Sequence, residues 1–192
     1  MPQQNLPPIE VAMRFRSGRA CLDFVHTGSD EHMHELINDD HDLASFLRVV
    51  CHVPEVIVAD GDLERARTLR DAILQCASRV VVGQGLPRAA VTTINAYASS
   101  TPIVPTLGVT GDVRLHLATV EQALATLARD AISLFAELMT KSVGENRLRR
   151  CAADDCGLFL LDTSRPNNRR WCSMELCGNR NKTRAYRARF EV

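Results

Sequence analysis

A mainly α-helical N-terminal domain with one small β-hairpin, followed by a compact C-terminal module in which a hairpin and a helix gather four cysteines, is the fold class this sequence predicts. Three observations carry that prediction. Over residues 1–144 apolar side chains recur at helical spacing in several segments, interrupted by Pro and Gly where the chain must turn. Over residues 145–192 two cysteine pairs, Cys151/Cys156 and Cys172/Cys177, stand in the spacing C-x4-C-x15-C-x4-C. The charge is also divided: residues 1–146 hold 12 Lys and Arg against 18 Asp and Glu, whereas residues 147–192 hold 11 against 5, so a net charge of zero conceals an acidic body and a basic tail.

A chain of 192 residues with 45% hydrophobic and 24% charged content is long enough for a real core, which excludes disorder throughout. No run approaches the ~18 uninterrupted apolar residues that span a bilayer, and Met1–Pro8 is polar and proline-rich, so no membrane segment and a cytoplasmic location are expected.

Taken in order, Val11–Arg16 suits a short strand, and Cys21–His26 is an apolar element of either type. Asp42–His52 places Leu43, Phe46, Leu47 and Val50 on one helical face, closed by Pro54. Asp62–Val82 is a clear amphipathic helix on Ala66, Leu69, Ile73, Ala77 and Val80, ended by Gly83-Gln84-Gly85. Pro87 opens the next helix, with Ala90, Val91, Ile94 and Tyr97 inward. The turn Val109-Thr110-Gly111-Asp112 lies between β-branched runs and predicts a hairpin from Ile103 to Leu117. A capping-box pattern, Thr119-x-x-Gln122, then starts a long helix whose stripe is Val120, Leu124, Leu127, Ala131, Leu134, Phe135 and Leu138, ending near Gly144. The short linker Lys141–Arg150 predicts that the C-terminal module packs on the body.

In a reducing cytosol, four thiols in paired turns favour one Zn2+ over disulfides, with Cys151, Cys156, Cys172 and Cys177 as ligands. Four thiolates leave no open coordination position, so such a zinc is structural, and it supplies much of the folding free energy of a ~45-residue module. Between the pairs, the apolar run Gly157–Leu161 suits one strand, the turn formers Asp162–Asn168 a reversal, and Arg169–Cys172 a returning strand. Asn181–Phe190 should be helical. Knuckle, hairpin, knuckle and helix together make a treble-clef-like zinc finger. Cys21, Cys51 and Cys76 stand singly in apolar settings and read as core fillers.

Ten of the tail's eleven cations are Arg, the better residue for phosphate forks and guanine edges. On the last helix Arg180, Arg184 and Arg187 line one seam and Lys182 and Arg189 another, with Thr183, Tyr186 and Phe190 between them; Arg169 and Arg170 extend the patch from the hairpin. These seven cations are the candidate nucleic-acid contacts. The competing role is neutralisation of the thiolate site and pairing with Asp154, Asp155 or Asp162, Arg180 being the one nearest the second knuckle. Zinc with four thiolates contributes about −2, so a cationic surplus remains. Trp171, beside a ligand, suits a packing lid better than a stacking platform.

The body offers no catalytic motif: no Gly-rich phosphate loop, no Gly-x-Ser-x-Gly and no His-Glu-x-x-His occurs, so no enzymatic activity is expected. His26, His32, His34 and His41 fall close together, but their spacing argues against a second metal site. Asp23 and His26 suit a hydrogen-bonded pair, or Asp23 a helix cap.

The tail resembles the CGNR zinc-finger family of bacterial proteins, through Cys177-Gly178-Asn179-Arg180, the runs Arg149–Gly157, Phe159–Ser164 and Arg170–Met174, and Lys182 and Arg184. In that family the finger typically follows an ABATE domain, and Leu22-Asp23-Phe24-Val25-His26-Thr27 resembles that domain's start, with His26 where Asn is usual. The resemblance implies a transcription regulator whose finger binds DNA. The expectation is therefore a regulator with an ABATE-like domain at 1–144 for sensing or oligomerisation and a finger at 145–192 that contacts duplex DNA. A homodimer and a small-molecule effector are the expected further partners. The alternatives are a zinc-stabilised scaffold binding RNA or protein, and a small-molecule binder in the N-terminal domain.

Overall fold

The computed structural model describes residues 17–28, 35–140 and 145–188. The expected strand Val11–Arg16, His32, His34, Lys141–Gly144, Arg189 and Phe190 lie outside the described residues. In chain order the elements are α1 (Ala20–Val25), α2 (Asp40–Cys51), β1 (Val56–Ile57), α3 (Asp62–Val81), α4 (Arg88–Ala98), β2 (Thr106–Leu107), β3 (Val113–Arg114), β4 (Ala118–Thr119), α5 (Val120–Met139), β5 (Leu148–Arg150), β6 (Phe159–Leu161), a π-helical turn (Met174–Gly178) and α6 (Asn179–Ala188). No helix among the described residues is long and apolar enough to cross a membrane.

The apolar stripes of the sequence become the core. Ala66, Leu69, Ile73, Ala77 and Val80 of α3 are buried, as are Ala90 and Ile94 of α4 and Val120, Leu124, Leu127, Ala131, Leu134, Phe135 and Leu138 of α5. Helices α3, α4 and α5 pack on one another, and α1 seats on α3 and α5. The expected capping box is present at α5: the Thr119 hydroxyl accepts from Gln122 N, and the Gln122 side chain accepts from Thr119 N. Asp39 caps α2, accepting from Asp42 N.

Cys21–His26, undecided in sequence, is helical because its start is held from outside: Asp130 of α5 accepts from Cys21 N at 2.9 Å and from Arg19 Nε at 2.8 Å. Its apolar side chains go inward, and the Phe24 ring stacks on Phe46 of α2 with centroids 5.5 Å apart. One pairing carries no sequence signal: β1 runs parallel to β4, Val56 opposite Ala118, tying the exit of α2 to the entrance of α5. The expected hairpin forms as β2 and β3, antiparallel, and leaves Leu107, Val109 and Val113 exposed. Cys21 and Cys76 are buried and Cys51 is half-buried; burial pushes the Cys51 thiol up to about 12 and that of Cys76 up to about 11, which suits inert fillers.

The C-terminal hairpin differs from expectation. Strand β6 pairs not with Arg169–Cys172 but with β5, in the register Leu148 opposite Leu161 and Arg150 opposite Phe159. The sequence reading overlooked Leu148-Arg149-Arg150 because its arginines mask a strand. Arg150 stacks its guanidinium 4.9 Å over the Phe159 ring, and Arg149 bonds the backbone at Asn146 and Leu148. Arg169–Cys172 is extended only as far as one bond, Ala152 N to Arg170 O, beside the first knuckle.

That hairpin enters the core of the helical body. Leu148 and Phe159 belong to the same buried cluster as Phe24, Phe46 and Leu124. Asn146 Nδ2 donates to Val80 O at 3.0 Å, Leu161 N to Ser17 O at 3.0 Å, and Phe159 N to His26 Nε2 at 2.9 Å. The expected Asp23–His26 bond is absent at 4.0 Å; Asp23 accepts from Ser17 N instead, and His26 serves the finger. Because Nε2 accepts, the ring is neutral with its proton on Nδ1, and burial pushes the imidazole down to about 3 despite the bond from Phe159.

The folded value lies below the ~6.5 of an unfolded His, so only the unfolded chain takes up a proton between these limits. The contribution of His26 is whole above ~6.5 and drains as pH falls toward ~3, at about 1.4 kcal/mol per pH unit. Urea unfolding at stepped pH should show His26→Gln, which keeps an acceptor without a titrating proton, less acid-sensitive than wild type by about that slope; parallel curves would contradict this.

Candidate metal centre and nucleic-acid interface

Four sulfurs converge where the two knuckles meet. The Sγ atoms of Cys151, Cys156, Cys172 and Cys177 all lie within 4.8 Å of one another, Cys156 and Cys172 at 3.7 Å and Cys172 and Cys177 at 3.5 Å. A tetrahedral ion with ~2.3 Å bonds to sulfur requires neighbouring sulfurs about 3.8 Å apart, so the cysteines are grouped for metal binding and fit the donor set of zinc. All four residues expected as ligands are brought together.

Local structure explains the convergence. The first pair occupies the turn of the β5–β6 hairpin, where Cys151 N donates to Leu158 O and Cys156 N to Ala153 O. The second pair is set by the π-helical turn. Ser173 caps it by accepting from Leu176 N, and Gly178 N reaches back to Ser173 O at 3.0 Å. A Cβ at Gly178 would stand 2.8 Å from Met174 Sδ and 3.3 Å from Trp171 Cδ1, so a larger residue there would displace the Met174 side chain and crowd the Trp171 ring. Trp171 packs against the sulfur cluster as the expected lid.

The sulfurs also receive hydrogen bonds: Cys172 N donates to Cys151 Sγ and Arg180 Nη2 to Cys177 Sγ, each at 3.4 Å. Held this close, the thiols oppose one another's ionisation. Donation from Cys172 draws Cys156 down to about 5, while that same bond pushes Cys172 far up, and burial raises Cys177 to about 11. One thiolate forms readily and its neighbours resist, a conflict that a divalent ion removes.

The seven candidate nucleic-acid cations separate into groups. Arg180 and Arg184 both reach Asp155 on the first knuckle, at 2.9 and 2.7 Å, so α6 is tethered to the hairpin turn through one carboxylate. The Arg184 guanidinium holds that carboxyl below its usual range. Arg169 donates to the backbone oxygens of Trp171 and Cys172 and braces the second knuckle. Arg170 is exposed and stacks 4.9 Å over Trp171. Lys182 and Arg187 are exposed with no acidic partner among the described residues, and Arg189 lies outside them. Between the seams Thr183 is exposed and Tyr186 is 65% exposed, Phe190 lies outside the described residues, and the Asp155 tether holds the helix to the knuckle.

Sequence reading missed two features of the site. Asp162 is fully buried and pins the loop after β6, accepting from Ser164 N at 2.9 Å and Arg169 N at 2.7 Å. Burial works to raise its carboxyl, and the bonds from Ser164 and Arg169 outweigh it and hold it below the usual range. That loop and the π-turn enclose a cleft of about 530 Å³ lined by Ser164, Asn168, Arg169, Arg170, Trp171 and Met174. In the body, Cys76, Leu86, Ile94, Phe135 and Met139 line an apolar cavity of about 230 Å³. Of the histidines, His26 is engaged with Phe159 and His41 is exposed on α2.

Comparison with family models finds two matches in tandem. Residues 18–138 match ABATE, described as "Putative stress-induced transcription regulator", and residues 147–190 match the CGNR zinc finger. No curated protein matches the chain.

Metal analysis should find about one equivalent per chain in wild type and less than about a tenth of that in Cys172→Ser, because three remaining thiols lose the tetrahedral set. Loss of metal should also red-shift the emission of Trp171, the chain's one tryptophan. Full metal content in Cys172→Ser would exclude this cluster as the centre.

Proposed function

Since the chain belongs to the ABATE family and ends in a CGNR zinc finger, we propose that it is a DNA-binding regulator whose Cys151, Cys156, Cys172 and Cys177 hold one structural Zn2+. The ion supplies a crosslink between the knuckles, and the closed sulfur set leaves it no catalytic position. Function is then recognition: the finger offers cations to the phosphates of duplex DNA, and the helical body senses or oligomerises.

The observation that carries this reading is the unequal use of the basic residues. Arg180 and Arg184 share Asp155, and Arg169 is committed to backbone oxygens, yet Lys182, Arg187 and Arg170 stay exposed without an acidic partner among the described residues. Cations beyond what the module needs for its own cohesion are the electrostatic footprint of a polyanion contact. Arg180 and Arg184 then aim the helix and sit at the margin of the contact. For the body, self-association is supported by the exposed aliphatic tip of the β2–β3 hairpin, whereas the apolar cavity beside Phe135, about 230 Å³, is smaller than a ligand cleft of ~300 Å³ or more.

Fluorescence anisotropy with a duplex oligonucleotide tests the reading. Removal of two phosphate contacts by Lys182→Ala with Arg187→Ala should reduce the slope of log affinity against log salt by about 1.8. Asp155→Asn, which frees two arginines and deletes one negative charge from the same face, should bind more tightly than wild type. Undiminished affinity and slope in the double variant would remove α6 from the interface. Preference for structured RNA or an acidic protein at matched ionic strength would support the scaffold reading instead.

A further inference from the structure

The cleft between the loop after β6 and the π-turn has a composition that the zinc cluster does not require. Its six lining residues include no carboxylate. They include two arginines, an asparagine and a serine, set around the one tryptophan. Its volume of about 530 Å³ falls in the ~300–1,000 Å³ range of ligand clefts.

We propose that this cleft is an anion subsite that takes a backbone phosphodiester of the bound nucleic acid, with the Arg170 guanidinium and the Ser164 hydroxyl as its donors. The assignment rests on the DNA-binding reading above and deepens it by placing a contact outside α6.

Three observations support it. Ser164 Oγ is buried and has no hydrogen-bond partner in the structure, an unusual state for a hydroxyl, which both donates and accepts. Ser164 lines the cleft, and donation to an entering oxygen would require χ1 to turn the hydroxyl out of its burial. Second, Arg170 is pre-oriented. Its guanidinium lies 4.9 Å over the Trp171 ring and its carbonyl accepts from Ala152 N, so the fork is held flat while its N–H groups have no acceptor among the described residues. A planar fork fixed in this way matches a phosphate with less loss of side-chain freedom than a lysine would incur.

Third, the cleft wall is rigid for reasons unrelated to a ligand. The buried Asp162 carboxylate holds the amides of Ser164 and Arg169, and Arg147 Nη1 reaches Asp162 O at 2.9 Å and Ser164 O at 2.8 Å from behind the loop. The negative charge of Asp162 is thereby occupied within the wall, and the Arg147 guanidinium lies beside it. Arg169, engaged with the second knuckle, contributes positive potential without offering its fork.

Because Trp171 is the only tryptophan, its emission reports on the cleft directly. The test titrates the zinc-loaded full chain, at about 0.1 M salt, with duplex DNA and separately with inorganic phosphate, following anisotropy and tryptophan emission together. Duplex DNA should shift the emission with the same midpoint as the anisotropy, and phosphate should act only weakly. Ser164→Ala removes an oxygen with no partner, so its melting temperature should equal or exceed wild type while affinity for DNA falls about fivefold. Arg170→Lys, which keeps the charge and loses the stacked fork, should fall about tenfold with metal content unchanged. Wild-type affinity in both variants, with DNA bound and Trp171 emission unmoved, would overturn the subsite and leave the DNA reading standing. Absence of duplex binding while phosphate shifts the emission would overturn the nucleic-acid source and the DNA reading together.

Discussion

Four sulfur atoms confined within 4.8 Å of one another are the constraint on which the C-terminal quarter of the fold depends. Thiolates so close together repel, and a cation at their centre would reconcile proximity with charge. The neighbouring structure conforms to that demand. The π-helical turn sets Cys177, Gly178 makes room for Trp171 and Met174, and Arg180 places a cationic donor on the buried Cys177 sulfur. The charge pattern of the whole tail follows. One carboxylate, Asp155, anchors two arginines to the knuckle, another, Asp162, is buried in the loop, and Arg165, Arg170, Lys182 and Arg187 are exposed.

The finger does not hang from the body by a linker. Leu148 and Phe159 lie in the same apolar cluster as Phe24 and Leu124, and His26 closes the seam by accepting the Phe159 amide. An Asn at that place could also accept a hydrogen bond; the imidazole adds sensitivity to acid, since its buried ring holds no second proton.

How much was legible in the sequence follows from which interactions are local. The stripes of α3 and α5, the capping box at Thr119, the β2–β3 hairpin and the four cysteines could all be read, because each is a pattern of types at fixed offsets along one segment. What escaped depends on partners distant in the chain. The helical state of Ala20–Val25 is imposed by Asp130, more than a hundred residues away, and the parallel pair of Val56 with Ala118 has no local signature. The hairpin was assigned the wrong partner strand because Leu148-Arg149-Arg150 looks like a charged linker until Arg150 is seen lying on Phe159. Among the seven cations only Arg180 was marked by its place beside the second knuckle; that Arg184 joins it on Asp155 while Lys182 and Arg187 do not shows only in the fold.

The placement of Phe159 in the body's core has a consequence for modular exchange. A finger that lends an aromatic ring to its carrier cannot be cut away and grafted elsewhere as an autonomous cassette: excision would strip one surface of its cover and leave a void in the other. A graft of this finger onto another carrier must therefore bring the complementary socket along with it.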